Sequence, residues 1–182
     1  MERVQVTLDQ HTAHRFLILS PNLKEVRCGD KHQNLPEDPE RFDENFYVLG
    51  TQKFISGRHC WEVDVQVDGQ WAEWAVGVAQ ESVRKKGEIS LSPNEGIWAV
   101  GKLSGTPFSP TSYVAFTSPK WATLTLKHEP RKIQVLLDSE IRSVEFVDAV
   151  TNELIFTFPS ASFSRREIRP FFWVSWGARM NC

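Results

Sequence analysis

The stretch Arg58-His59-Cys60-Trp61-Glu62-Val63-Asp64-Val65 and, further along, Trp74-Ala75-Val76-Gly77-Val78-Ala79 decide the fold class. In the first arm Trp61, Val63 and Val65 fall on one side, and Cys60, Glu62 and Asp64 on the other. That period of two is the pattern of a half-buried strand. In the second arm Trp74, Val76 and Val78 alternate with Ala75, Gly77 and Ala79. Small residues on one face leave room for another layer, or a ligand, close to the backbone. Between the arms, Asp68-Gly69 is a turn signal of the kind that closes antiparallel hairpins. The expectation is a long, Trp-anchored hairpin on which the remaining strands assemble.

Outward from this pair, residues 16–19, 26–28, 47–49 and 53–55 read as short strands on the N-terminal side. On the C-terminal side the strand readings are 97–100, 113–116, 122–126, 133–137, 144–147, 154–158 and 171–176. Ser20-Pro21-Asn22 and Ser92-Pro93-Asn94-Glu95-Gly96 are turns. Residues 31–45, with Pro36, Pro39 and a dense charge cluster, read as a surface loop, and 82–86 as a basic turn or a single helical turn. Residues 101–112 are rich in Gly, Pro, Ser and Thr and read as an exposed loop. No amphipathic helix longer than two turns emerges. Many short strands separated by turns predict an all-β protein, an antiparallel sandwich or barrel.

Composition bounds the rest. At 182 residues, one domain with a substantial core suffices. The apolar share of 41% and aromatic share of 12% are those of a folding chain, not a disordered one. A formal net charge of -2 supplies no field to draw in nucleic acid or an anionic membrane. No apolar run approaches the roughly 20 residues of a membrane span, and the first residues lack an apolar signal core. Cys28, Cys60 and Cys182 are scattered and odd in number, which predicts reduced thiols and a cytoplasmic setting.

Several motifs carry a family resemblance. Leu8-Asp9 with Thr12-Ala13, Pro39-Glu40-Arg41-Phe42 and Val48-Leu49-Gly50 resemble the PRY segment. Ser56-Gly57-Arg58-His59-Cys60-Trp61-Glu62-Val63, Trp74-Ala75-Val76-Gly77-Val78, Leu137-Asp138-Ser139-Glu140 and Arg169-Pro170-Phe171-Phe172 resemble the SPRY segment. They lie in family order across nearly the whole chain, which resembles a single PRY-SPRY domain with a PRY segment at 1–52 and a SPRY segment at 53–182. Cys60 stands where the family usually has an aromatic residue, and Ser139 replaces the usual Tyr. The resemblance implies a bent sandwich of two antiparallel sheets without catalytic apparatus, and a partner-binding surface built by variable loops at one end. Such domains terminate tripartite-motif (TRIM) ubiquitin ligases and butyrophilin tails, and a venom-protein relative also carries one. For a ligase parent the expectation is substrate selection in innate immunity, with dimerisation through a coiled coil that these residues do not contain. For a butyrophilin it is sensing of a cytosolic ligand.

Other chemistry reads weakly. Gly96 to Lys102 has P-loop spacing, but Leu103 follows where Ser or Thr would hold magnesium. Asp64-x-Gln66-x-Asp68-Gly69 echoes a calcium loop, with Ala75 in place of its bidentate Glu. His11 and His14 lack a third local ligand, and no nucleophile elbow frames a serine. The expectation is therefore no enzyme, no cofactor and no metal. Arg84-Lys85-Lys86 and Arg165-Arg166 read as solvated turns; RNA binding is the alternative they would serve.

The aromatic residues are more telling. Phe54, Trp61, Trp74, Phe146, Phe156 and Phe158 alternate regularly and read as core. Trp71 lies among polar turn residues, Trp98 ends a strand, and Trp176 ends the last one. Exposed aromatics beside a concavity suit a protein-binding hot spot. The candidate contacts for a target protein or peptide are Phe46, Trp71, Trp98, Lys102, Phe108, Tyr113 and Trp176. They lie in or beside the loops near 44–47, 68–73, 101–113 and 175–178.

Overall fold

The computed structural model of the chain describes residues 1–105, 111–159 and 167–182. From the N-terminus run β1 (Glu2–Arg3), β2 (Leu17–Leu19), β3 (Glu25–Cys28), β4 (Tyr47–Leu49) and β5 (Arg58–Val67). Next come β6 (Trp74–Gln80), a 3-10 turn at Pro93–Glu95, β7 (Ile97–Leu103), β8 (Ser112–Ala115) and β9 (Ala122–Leu124). Then follow β10 (Lys132–Asp138), β11 (Ser143–Asp148), β12 (Leu154–Phe158), β13 (Ile168–Val174) and β14 (Ala178–Asn181).

One sheet has the order β12-β11-β10-β5-β14-β3-β2, with β1 beside β5; the other runs β4-β13-β6-β7-β8-β9. Only the short β1–β5 pairing among these is parallel. The chain is thus the all-β sandwich of two antiparallel sheets that the period-two pattern predicts.

The central hairpin does not form. β5 pairs with β10 and β14 in one sheet, and β6 with β13 and β7 in the other. Paired side by side, the two Trp/Val faces would line a single sheet face and still need a cover. Across the sandwich each covers the other: Trp61, Val63 and Val65 share one core cluster with Trp74, Val76 and Val78. The Asp68-Gly69 turn is real, with Gly69 at φ 86, but it opens a crossing between sheets.

A second cluster lies on the far face of the six-stranded sheet, where Phe42, Ile89, Leu91, Ile97 and Phe171 pack against Ala75 and Ala79. The small-residue face of β6 therefore accepts a covering layer, and its neighbour strand approaches closely. A Cβ on Gly77 would stand 2.0 Å from the Trp98 carbonyl oxygen. This layer corrects two expectations. Residues 31–45 are not merely a surface loop, because Arg41 and Phe42 within or beside that layer are buried. Nor is Lys85 solvated: its ammonium donates to Glu40 at 3.2 Å and to the Val83 carbonyl, 5.7 Å from the Phe42 ring centre.

Smaller differences concern strand ends. β7 continues to Leu103, because β8 offers it partners from Ser112 to Ala115. Residues 53–55 contribute only an isolated bridge, Phe54 to Ile168, and Phe156 is half-buried rather than core. Arg169 locks the N-terminal segment to β13. Its guanidinium, 3% exposed, donates to Asp9 at 2.8 Å, to Glu81 at 3.1 Å and to the Gly50 carbonyl at 2.8 Å.

Candidate functional site: a groove where two sheet crossings meet

Two connections pass between the sheets at the same end, residues 68–73 from β5 to β6 and residues 175–177 from β13 to β14. They are stitched together. The Asp68 amide donates to the Gly177 carbonyl at 2.8 Å, the Ser175 amide to the Glu73 carbonyl at 3.0 Å, and the Glu73 amide to the Ser175 hydroxyl at 2.8 Å. Gly177 adopts φ 92, and a Cβ there would also stand 2.9 Å from the Asp68 carbonyl oxygen, so the turn needs glycine. On these two connections Trp71 is 56% and Trp176 63% exposed.

The end of β5 forms a floor beside them. Two hollows, of about 450 and 420 Å3, share Gln66 and Val67 and so make one groove. Arg27, Asp68, Trp176 and Arg179 border the first; Asp64, Glu129, Pro130 and Arg131 border the second. Volumes of this order suit a ligand or peptide side chains. Three arginines face three carboxylates along it, so no single sign of charge dominates. Arg179 is neutralised by Glu25 at 3.3 Å. Its cross-strand partner Arg27 makes no ion pair among the described residues.

The predicted contacts divide. Trp71 and Trp176 lie on the two stitched crossings; Trp176 borders the first hollow, and Trp71 lines neither. Lys102 is 3% exposed, not a surface cation. Its ammonium donates to the carbonyls of Gln70 and Ala72, propping the crossing that carries Trp71. Burial lowers its pKa, against the opposing pulls of Glu129 and Glu73. Tyr113 lies opposite Lys102 in β8 and is half-buried. Burial and the neighbouring Glu129, which is also its hydrogen-bond partner, push its hydroxyl up to about 12.

Trp98 is corrected outright. At 2% exposure, as the second residue of β7, it belongs to the inter-sheet core, because the strand runs on past it instead of ending there. Phe46 is half-buried against His14 and Phe16, with ring centres 4.7 and 5.5 Å away, and lines neither hollow. Phe108 lies outside the described residues. Sequence reasoning missed Arg27, Gln66 and Arg179. Their available signal was polar alternation with buried neighbours, as in Ala178-Arg179-Met180, which marks a solvent face but no site.

Comparison with known proteins agrees with this architecture. The family model described as "PRY: SPRY-associated domain" matches residues 6–54, and that described as "SPRY domain" matches residues 58–182. Butyrophilin subfamily 1 member A1 of Mus musculus is 44% identical over 94% of this chain and 31% of its own length. The E3 ubiquitin-protein ligase TRIM21 of Mus musculus is 40% identical over 93% of this chain and 34% of its own. For the human E3 ubiquitin-protein ligase TRIM58 the values are 39%, 94% and 33%. The chain thus spans about a third of the length of these curated relatives. Among solved structures, stonustoxin superposes with a TM-score of 0.81 at 19% identity, over 98% of this chain and 28% of that one. The TRIM65 PSpry domain gives 0.76 at 19% identity, over 99% of this chain and 90% of that one. With both segments matched in order, the chain belongs to the SPRY domain family and carries the associated PRY segment ahead of it.

Proposed function

We propose that this domain is a non-catalytic recognition module that takes up a target protein or peptide in the groove bordered by Trp176, with Trp71 exposed on the adjoining crossing. The observation that carries the reading is the pair of exposed tryptophans held on crossings rigidly joined by three backbone-anchored hydrogen bonds. Large, pre-positioned aromatics bind at low entropic cost. The balanced charge of the groove favours a protein segment over a nucleic acid, which would call for a basic face. In a TRIM ligase the module would select the substrate for ubiquitination, in the cytoplasm and in the service of innate immunity. The free thiols Cys28, Cys60 and Cys182 support a reducing compartment. Among the described residues no helix is long and apolar enough to cross a membrane.

The test is partner capture with Trp71→Ala and Trp176→Ala, alongside melting temperatures. Each variant is expected to stay folded and to lose about 2 kcal/mol of binding, about thirtyfold. Unchanged capture by both folded variants overturns the reading.

The 44% identity to butyrophilin subfamily 1 member A1 favours a second parentage, in which the same groove senses a cytosolic ligand. The upstream sequence of the parent gene separates the two. A RING with its zinc ligands points to the ligase, and a transmembrane helix to the butyrophilin.

A further inference from the structure

A separate cavity of about 70 Å3 opens beside Phe42 of the layer covering the six-stranded sheet. It lies among His14, Arg15, His32, Glu37, Arg41 and Lys86, with Phe42 and Asp43 completing the wall. It shares no lining residue with the groove. Arg41 is its unusual member, at 4% exposure. One guanidinium nitrogen, Nη1, donates to the carbonyls of Gln10 at 2.8 Å and Ala13 at 2.7 Å. Its buried Nε has no hydrogen-bond partner, and no carboxylate reaches ion-pair distance of Arg41 among the described residues. A buried cation without a counter-ion is costly to the fold, and a buried donor without an acceptor adds to that cost.

The acidic neighbours are engaged elsewhere. Glu37 is held by Arg15 at 2.7 Å, which keeps its carboxyl below the usual range, with weaker pulls from Lys86 and Arg41. Asp43 accepts from the Gly87 amide at 2.8 Å. Lys86 donates to the carbonyls of Asp38 at 2.8 Å and Arg41 at 2.7 Å, which leaves one ammonium hydrogen unassigned. Counting Arg15, Arg41 and Lys86 against Glu37 and Asp43, with both imidazoles neutral, the wall carries one net positive charge. A hollow of this size has room for one small oxyanion group.

We propose that this cavity is an oxyanion site, in which the Arg41 guanidinium and the Lys86 ammonium receive a single phosphate or carboxylate group. The group would be presented by a phosphorylated side chain or by an acidic one, and both supply the same acceptor oxygens. Engagement of Arg41 would also tie residues 10–13, which it already holds by two carbonyls, to the segment that covers β6.

The test uses the 182-residue chain labelled with nitrogen-15, titrated separately with inorganic phosphate, acetate and chloride at constant ionic strength. The readouts are the Arg41 Nε–H signal and the amides of residues 14–15 and 41–43. The expected result is saturable movement of these signals with a dissociation constant on the order of 1 mM, the strength of two charge-assisted hydrogen bonds. Saturation with phosphate alone assigns the group to a phosphorylated side chain, saturation with acetate alone to a carboxylate, and saturation with both to either. Lys86→Gln, exposed and outside the core, is expected to weaken binding about threefold or more while leaving the fold intact. Arg41→Lys, which keeps the charge and removes Nε, is expected to weaken it about tenfold. Movement no different from that with chloride overturns the proposal, and so does saturable movement that persists unchanged in Lys86→Gln.

Discussion

β5 and β6 carry almost the same apolar lettering, Trp-x-Val-x-Val, and end in different surroundings. β5 buries Trp61, Val63 and Val65 and turns Glu62, Asp64 and Gln66 outward, so its second face stays wet and its end can floor a groove. β6 buries nearly everything, since Phe42, Leu91 and their neighbours cover its small-residue face. What separates them is the alternate position. Charged and amide side chains there keep a face in water, whereas Ala, Gly and Ala admit a third layer. A shared apolar stripe therefore decides what a strand packs against on one side, and the residues between decide whether it has one working face or none.

The largest expected effect breaks the face the two strands share. Trp61 is 2% exposed and stacks on Phe54 at 5.6 Å between ring centres. Trp61→Ala should cost roughly 3–5 kcal/mol, a large fraction of a typical domain's stability, read as a fall in melting temperature. A wild-type melting temperature would mean that the sheets do not meet there.

Next comes the face they do not share. Gly77→Ala places a methyl group 2.0 Å from a backbone oxygen of β7, which can give way only if the strand moves. Overpacking of this kind costs about 1–3 kcal/mol. A change on the wet face of β5, Gln66→Ala, points into solvent and should stay within about 0.5 kcal/mol of wild type. Equal effects from the two, in parallel denaturant titrations, would erase the distinction between the strands.

These two strands also mark how far the sequence can be read. Period-two alternation identifies apolar faces and hence the all-β class, and Trp61, Trp74 and Val76 are buried as their spacing requires. Alternation is silent about which strand lies beside which, so the hairpin reading of β5 and β6 had no way to meet the competing pairing with β10, β13 and β14. The candidate site divides along the same line. Trp71 and Trp176 stand out locally, as large aromatics among turn residues. Lys102 and Trp98 do not, because their stretch runs into a Gly- and Pro-rich segment and hides the pairing with β8 that extends the strand. Arg27, Arg179 and Gln66 form a row only through the order β3-β14-β5, which no local pattern encodes.

A smaller effect on stability is expected where the groove replaces the core. Trp176→Ala removes the same side chain as Trp61→Ala, from a position 63% exposed. Its stability should stay within about 0.5 kcal/mol of wild type, while partner capture falls. A Trp176→Ala loss of stability comparable to that of Trp61→Ala would reassign Trp176 to the core.

The smallest expected effect is a pH slope, and it belongs to the layer that covers β6 and not to the wet face of β5. His14 is 6% exposed; its Nδ1 accepts from the Phe16 amide at 3.0 Å, and its ring also bonds the Asp43 backbone. Burial pushes its pKa below the ordinary histidine value, against the raising pull of that backbone bond. Protonation would place a second donor against the Phe16 amide, so the folded state favours the neutral ring. The unfolded chain, with histidine near 6.5, takes up a proton sooner as the pH falls. Between that value and the lower folded one, the unfolded state holds more protons, and stability declines with acidification. The melting temperature of the wild type should therefore drop as the pH falls below the ordinary histidine value, while His14→Gln, which cannot titrate, should show a flatter profile. The carboxyls of Glu37 and Asp38, held low by Arg15 and by the Glu40 amide respectively, contribute their losses only at lower pH. A His14→Gln profile as steep as the wild type's would remove His14 as the source of the slope.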